Sequence, residues 1–358
     1  MATRVLIVED SQVMQRLLAD LIGRGPDLEV AGIASDPYEA RELVKSLKPD
    51  VMTLDVEMPR MDGLTFLERL MRLHPMPVVM VSSQTERGAE ASMRALELGA
   101  VDVIAKPRAS DVHGLTEFAV SIADKLRAAA RAELGVRAIA GNLRPAVRAL
   151  EGPSDKKLLE GRLIAIGAST GGTEAIRELL ERLPPETPPI VIVQHMPEMF
   201  TKMFAKRLDE QCRISVCEAS DRQKLQPGHA YVAPGNWHLT VRRSGKAFEG
   251  RVAQSDPVNR HRPSVDVLFD SVAASAAAAA TAVILTGMGG DGASGMRKIK
   301  EAGGHTLAQD EASCVVFGMP KSAIEAGCVD RVAPPPVLAE RIMQRVREPG
   351  SGAKQANS

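Results

Sequence analysis

Residues 162–174 read RLIAIGASTGGTE: an apolar run, a glycine, a serine and a threonine, a glycine pair, and the start of a helical pattern. A short buried run that ends in small residues and passes into a helix is the corner of a βα unit. Strands of that kind belong to parallel sheets covered on both faces. The serine at the corner has three possible uses. Gly167-Ala168-Ser169-Thr170-Gly171 satisfies G-x-S-x-G between a strand and a helix, the setting of a nucleophile elbow. Its small neighbours let the turn close and leave N–H groups at the helix N-terminus for a developing oxyanion. The same residues also suit a phosphate loop or a plain helix cap, and this segment alone does not choose among them.

The alternation continues on both sides. Downstream, PIVIVQHM, RISVCEA, HAYVAPG, TAVILTGMGG, GHTLAQD and CVDRVAPP are strand candidates, and HLTVRRSGKAFEGRV reads as a β-hairpin turning at Ser244-Gly245. PVLAERIMQRVRE is a last helix before a polar tail, 347–358, that is expected to be disordered. Upstream, RVLIVED, LEVAGIA, DVMTLDV, PVVMVSS and VDVIAKP alternate with amphipathic segments such as SQVMQRLLADLIGR, making five βα units that end near residue 125. Between the two halves, 126–159 has no strand pattern, carries five arginines from Arg127 to Arg148, and breaks at EGPSDKK; it reads as a partly helical, solvated linker. The expected fold is α/β, with two doubly wound, mainly parallel-sheet domains. The first, 1–125, is flavodoxin-like; the second, 160–346, is a larger, Rossmann-like three-layer domain with a hairpin.

The totals agree with that organisation. A chain of 358 residues with 44% hydrophobic and 25% charged residues has the composition of a soluble two-domain protein. Basic and acidic residues balance at 45 each, so no net field draws it to nucleic acid or an anionic membrane. MATRVLIVED is no signal peptide, and VAASAAAAATAVILTG is too short to span a bilayer, so a cytoplasmic protein without membrane insertion is expected. Cys212, Cys217, Cys314 and Cys328 form no Cys-x-x-Cys pair and read as reduced and structural.

In open parallel sheets, ligands bind outside the carboxyl ends of the strands. In the first domain that edge collects Glu9, Asp10, Asp55, Ser82 and Lys106. Clustered carboxylates repel one another unless a cation joins them, and hard oxygen ligands suit Mg²⁺. A carboxylate so supported, beside a lysine and a hydroxyl, can accept a phosphoryl group. In the second domain, PIVIVQHM delivers His195 to the strand end beside Ser169, and the glycine-rich loop of TAVILTGMGGDG delivers Asp291. Together they supply nucleophile, base and base-orienter. A phosphate loop would want a lysine after its glycines, and neither loop has one. The chain order Ser169, His195, Asp291 differs from the Ser-acid-His order of α/β-hydrolases, so this would be an independent solution. His261 is the one rival base, placed in a polar loop rather than at a strand end.

Residues 1–125 resemble a response-regulator receiver domain, and GASTGG, QHMP, HRPSVDVLF and LTGMGGDGA resemble the catalytic domain of the chemotaxis protein-glutamate methylesterases, the CheB family. The receiver resemblance implies Asp55 as phosphoacceptor, Glu9, Asp10 and Asp55 around Mg²⁺, Ser82 and Lys106 as phosphoryl contacts, a cis Lys106-Pro107 bond, and a histidine kinase as phosphodonor. Val103 departs from the pattern, standing where many receivers carry an aromatic switch residue. The esterase resemblance implies hydrolysis of methyl-glutamyl esters on methyl-accepting chemoreceptors, with deamidation of receptor glutamines, no cofactor in that domain, and Thr170 and Met288 lining the oxyanion site. It also implies that the unphosphorylated receiver restrains the enzyme. The competing class is a receiver-controlled binding module without catalysis, against which the complete triad counts.

Overall fold

The computed structural model describes residues 2–107, 112–132 and 150–348. Much of the expected linker and almost all of the expected disordered tail therefore lie outside the described residues. The chain divides near residue 145 into two compact units.

The first unit alternates strand and helix: β1 (Thr3–Val8), α1 (Gln12–Gly23), β2 (Leu28–Ala34), α2 (Pro37–Leu47), β3 (Val51–Asp55), α3 (Gly63–Leu73), β4 (Val78–Ser82), α4 (Glu86–Glu97), β5 (Asp102–Ala105) and α5 (Val112–Ala130). Helix starts are written into the loops. Asp36, Asp62 and Thr85 each accept a backbone N–H of the first turn, which satisfies donors the helix itself cannot. The strands pair in parallel in the order β2-β1-β3-β4-β5. β3 and β4 are buried throughout, as a sheet covered on both faces requires. Val103, on β5, is 1% exposed and packs as a core residue. α5 runs past residue 125 to Ala130. The cis peptide bond among the described residues is Arg262–Pro263; the implied cis bond at Lys106–Pro107 is not found.

The second unit contains β6 (Leu163–Ala168), α6 (Gly172–Leu180), β7 (Ile190–Gln194), α7 (Phe200–Gln211), β8 (Ser215–Glu218), β9 (Gln223–Leu225), β10 (His229–Val232), β11 (His238–Ser244), β12 (Ala247–Ala253), α8 (Val265–Ala276), β13 (Ala280–Ile284), α9 (Ala293–Glu301), β14 (His305–Gln309), α10 (Met319–Glu325), β15 (Arg331–Ala333) and α11 (Pro335–Arg347). Seven strands form one parallel sheet in the order β15-β14-β13-β6-β7-β10-β8. The chain leaves β6 towards β7 on one side and later returns to β13 on the other, so the sheet's switch point lies at β6. The predicted hairpin is present as β11 and β12, but it turns at Gly245-Lys246 rather than Ser244-Gly245, because Ser244 is still paired in the ladder, with Ala247. A strand the sequence reading omitted, β9, adds to it antiparallel through Phe248, Glu249 and Gly250. α8 covers the free side of β11: Val241 donates its N–H to Ser271 Oγ at 2.9 Å and accepts from Ser275 Oγ at 2.8 Å. Leu239, Phe248, Leu268 and Phe269 pack between these elements as part of the core.

Candidate active site

β13, β6 and β7 are neighbours, and their carboxyl ends deliver three residues to one place. Ser169 follows β6, His195 follows β7, and Asp291 sits in the loop between β13 and α9. The register pairs Ala168 with Gln194, and the His195 N–H donates to Ala168 O at 3.1 Å, so serine and histidine leave adjacent strands side by side. The serine's backbone is fixed from three directions. Its N–H donates to Thr286 O at 3.0 Å, while its carbonyl accepts from Gly172 N at 2.7 Å and Gln194 Nε2 at 2.8 Å. The turn into α6 passes through Gly171 at φ 77°, a left-handed conformation that suits glycine. On the β13 side the backbone comes so close that a Cβ on Gly287 would stand 2.6 Å from Ser169 Cβ. Only a glycine lets that loop lie against the serine, and the next residue in the chain is Met288.

His195 and Asp291 form the charged half of the site. His195 Nε2 and Asp291 Oδ2 are 2.9 Å apart, and the two residues are 8% and 3% exposed. The Asp291 carboxylate is held by more than the imidazole. Val265 N–H donates to Oδ2 at 2.7 Å; Asn259 Nδ2, Ser264 Oγ and Asp266 N donate to Oδ1 at 2.7, 2.9 and 3.2 Å. Burial pushes the Asp291 pKa up, but the His195 hydrogen bond and charge, the Asn259 amide and the Val265 N–H outweigh it and hold the carboxyl well below the usual range. An ionised acceptor at Nε2 favours a ring proton there, and in that tautomer the lone pair lies on Nδ1. His195 Nδ1 is buried and has no hydrogen-bond partner among the described residues.

Thr170, the residue after the serine, is 3% exposed, and its carbonyl accepts from Thr286 Oγ1 at 3.0 Å. Thr286 also joins this loop to Gln309 and Val316, so the two loops that carry Thr170 and Met288 are tied to each other. His261, weighed in the sequence as a rival base, stacks on the His195 ring, with centroids 3.8 Å apart and planes 13° from parallel. The Asp291 partners Asn259, Ser264 and the N–H groups of Val265 and Asp266 were not anticipated. Ser264, Val265 and Asp266 fall within the motif HRPSVDVLF, which carries the family resemblance, whereas Asn259 precedes it and had no signal. Arg262 has a structural one: its guanidinium donates to Asn236 Oδ1 and to Ser255 O.

In the first unit, Glu9, Asp10 and Asp55 bring carboxylate oxygens within 4.8 Å of one another. Lys106 Nζ lies 2.8 Å from Asp55 and 3.0 Å from Glu9. Burial, then the charge of Asp55, pushes Glu9 up to about 7; burial also raises Asp55 against the pull of Lys106. Burial by itself would lower the Lys106 pKa, but the two carboxylates keep it raised. Three acids short of positive charge are a donor set that fits a hard divalent cation. Ser82 Oγ donates to Gly88 O at 3.0 Å, at the start of α4.

Residues 164–342 match the family model described as CheB methylesterase, and residues 5–114 match the response regulator receiver domain. A protein of Thiobacillus denitrificans named protein-glutamate methylesterase/protein-glutamine glutaminase is 55% identical over 96% of this chain and 97% of its own. The Bordetella bronchiseptica protein of the same name is 54% identical over 97% and 98%. Among solved structures, the Thermotoga maritima CheB methylesterase catalytic domain superposes with a TM-score of 0.50 at 42% identity, covering 51% of this chain and 98% of that one.

Proposed function

The chain belongs to the CheB methylesterase family, with a response regulator receiver domain ahead of the catalytic one, and from that premise we propose how its residues work. It is a hydrolase, a protein-glutamate methylesterase and protein-glutamine glutaminase under receiver control. Ser169 is the nucleophile, His195 the general base and Asp291 the group that orients and charges the base. The observation that carries this reading is the His195–Asp291 pair at 2.9 Å, with the opposite ring nitrogen unpartnered at the strand end beside Ser169.

In the proposed reaction Ser169 Oγ attacks the glutamyl ester carbonyl as His195 Nδ1 takes its proton. Asp291 stabilises the imidazolium, and the developing oxyanion is met by N–H groups at Thr170 and Met288. The imidazolium then returns the proton to the leaving oxygen, methanol departs, and water attacks the acyl-serine by the same steps in reverse roles. With a glutamine the leaving group is ammonia, and the same histidine must protonate nitrogen before the bond breaks.

In the receiver, Asp55 is the proposed phosphoacceptor, with Ser82 and Lys106 contacting the phosphoryl group. Glu9, Asp10 and Asp55 would hold Mg²⁺, which supplies positive charge to the transferring oxygens. The proposed partners are methylated chemoreceptors as substrate and a histidine kinase as phosphodonor, met in the cytoplasm. No described helix is long and apolar enough to cross a membrane, and the balanced charge offers no nucleic-acid footprint. Methanol release from methylated receptor membranes tests the assignment: Ser169→Ala should abolish it while the thermal melt is unchanged. Full release by that variant rejects Ser169 as nucleophile.

A further inference from the structure

Among the described residues, the His195 ring has one side-chain hydrogen bond, from Nε2 to Asp291, so rotation about its Cβ–Cγ bond is checked by hydrogen bonding at that one corner. Pivoting swings Nδ1 through an arc, and Nδ1 is the atom that must meet the serine proton. Misplacement of a catalytic group by about 1 Å can cost roughly 10²-fold in rate. Something must fix the plane of the ring.

The face of the ring is covered by His261, stacked at 3.8 Å and 13°. That residue is presented by a tight turn. Val258 and His261 exchange both backbone hydrogen bonds, at 3.0 and 2.9 Å, across Asn259 and Arg260, which stand at φ 53° and 67°. Two successive left-handed residues make a turn of the primed type. Asparagine tolerates that backbone, whereas arginine adopts it at a cost. The turn is pinned at both ends. Asn259 Nδ2 donates to Asp266 and Asp291, both at 2.7 Å, and Arg262 binds Asn236 and Ser255 on the far side. One nine-residue segment, Val258 to Asp266, therefore grips Asp291 from one side and lies on the ring of its partner from the other.

We propose that His261 is a positioning residue for the esterase reaction, its stacked ring holding the His195 plane so that Nδ1 faces the serine; this rests on the triad reading above. His261 touches no reacting atom in this account. It acts as a flat surface, so its shape matters and its proton does not. Another aromatic ring should replace it, and a small side chain should not. The lost quantity is orientation in the chemical step, so kcat falls and substrate binding does not.

The test uses the full-length protein and initial rates of methanol release over a range of methylated receptor membranes, with matched thermal melts. His261→Ala should lower kcat about tenfold and leave KM within about threefold, the scale expected of one aromatic pair aligning a base. His261→Phe should return kcat to within about threefold of the parent. The rate of labelling by a serine-reactive fluorophosphonate should follow kcat in both variants. An alanine variant at parental rate overturns the proposal. So does a well-folded phenylalanine variant as slow as alanine, which would mean the imidazole's own chemistry is needed. Ser169→Ala run alongside separates the two levels: release by that variant rejects the triad, whereas an inactive Ser169→Ala beside a fully active His261→Ala rejects only the positioning role.

Discussion

Asp291→Asn is nominally isosteric, yet the hydrogen bonds around the carboxylate make it a switch of histidine tautomer. Both oxygens accept a backbone N–H: Oδ2 from Val265 at 2.7 Å and Oδ1 from Asp266 at 3.2 Å. An asparagine must therefore point its NH₂ at a backbone donor in either orientation. With NH₂ at the Oδ1 position it meets Asp266 N–H and the Asn259 amide as well. Asn259 cannot simply flip to accept, because the same nitrogen donates to Asp266 Oδ2 at 2.7 Å, and a flip would set its oxygen against that carboxylate. With NH₂ at the Oδ2 position only Val265 N–H is opposed, since His195 can respond by accepting at Nε2 and moving its proton to Nδ1. Each buried unmatched donor costs about 1–3 kcal/mol, so the second arrangement dominates by about 5–150-fold. It is also the inactive one, because its Nδ1 no longer has a lone pair for the serine proton.

The variant should lose about 10⁴-fold in kcat, the scale seen when a triad aspartate becomes asparagine, with the unfavourable tautomer compounded by loss of the carboxylate charge behind the imidazolium. It should also lose stability, at about 2–4 °C of Tm per kcal/mol for a unit of this size. Methanol release and fluorophosphonate labelling read the first effect, a thermal melt the second, and nitrogen-15 shifts of the His195 ring report the tautomer directly. Activity within tenfold of the parent in a folded Asp291→Asn protein would refute the tautomer argument, because the retained base would then need no carboxylate to orient it.

Acid should act through the same carboxylate. The folded pKa of Asp291 is depressed, so its contribution to stability is complete above the unfolded value near 4 and is lost as pH falls below it; a pH series of melts should show this decline, and Asp291→Asn should flatten it. Gly287→Ala should impair both folding and activity, since the new Cβ would meet Met319 Sδ at 2.4 Å and Ser169 Cβ at 2.6 Å. Overpacking of this kind costs about 1–3 kcal/mol, and a variant with parental melt and rate would contradict the close approach of the two loops. Acetyl phosphate should phosphorylate Asp55 only with Mg²⁺ present, and Asp10→Ala should weaken this strongly; equal phosphate incorporation in excess chelator would reject the metal reading. A chain beginning near residue 156 should release methanol faster than the unphosphorylated full chain and ignore acetyl phosphate. A folded truncation no faster than the parent would mean that the receiver does not restrain the enzyme.

The parts of this molecule that could be read from its sequence are those specified by local pattern. Apolar runs such as LIAIGA and IVIVQ, each followed by small or polar residues and a helical period, give strands, helices and strand ends together. Strand ends in a parallel sheet are where ligands bind, so Ser169, His195 and Asp291 could be grouped before any distance was known. β9 was missed because three residues, Gln223 to Leu225, are too few to show a period. They form a strand by pairing with β12, a partner more than twenty residues away. The environment of Asp291 was illegible for a related reason. Asn259, Ser264, Val265 and Asp266 lie in a loop and the first turn of α8, and half of their donors are backbone N–H groups that carry no residue identity. Their convergence on Asp291 comes from the return of the chain to β13, beside β6, about thirty residues later. His261 shows the same limit from the other side. Its position in a polar loop counted against it as a base, yet nothing local indicated that the loop folds back over the imidazole of His195. Sequence pattern thus locates the proposed reacting groups because they sit at element ends, whereas the residues packed around them are chosen by tertiary approach. A substitution in the second class leaves every motif intact and still moves the reacting atoms.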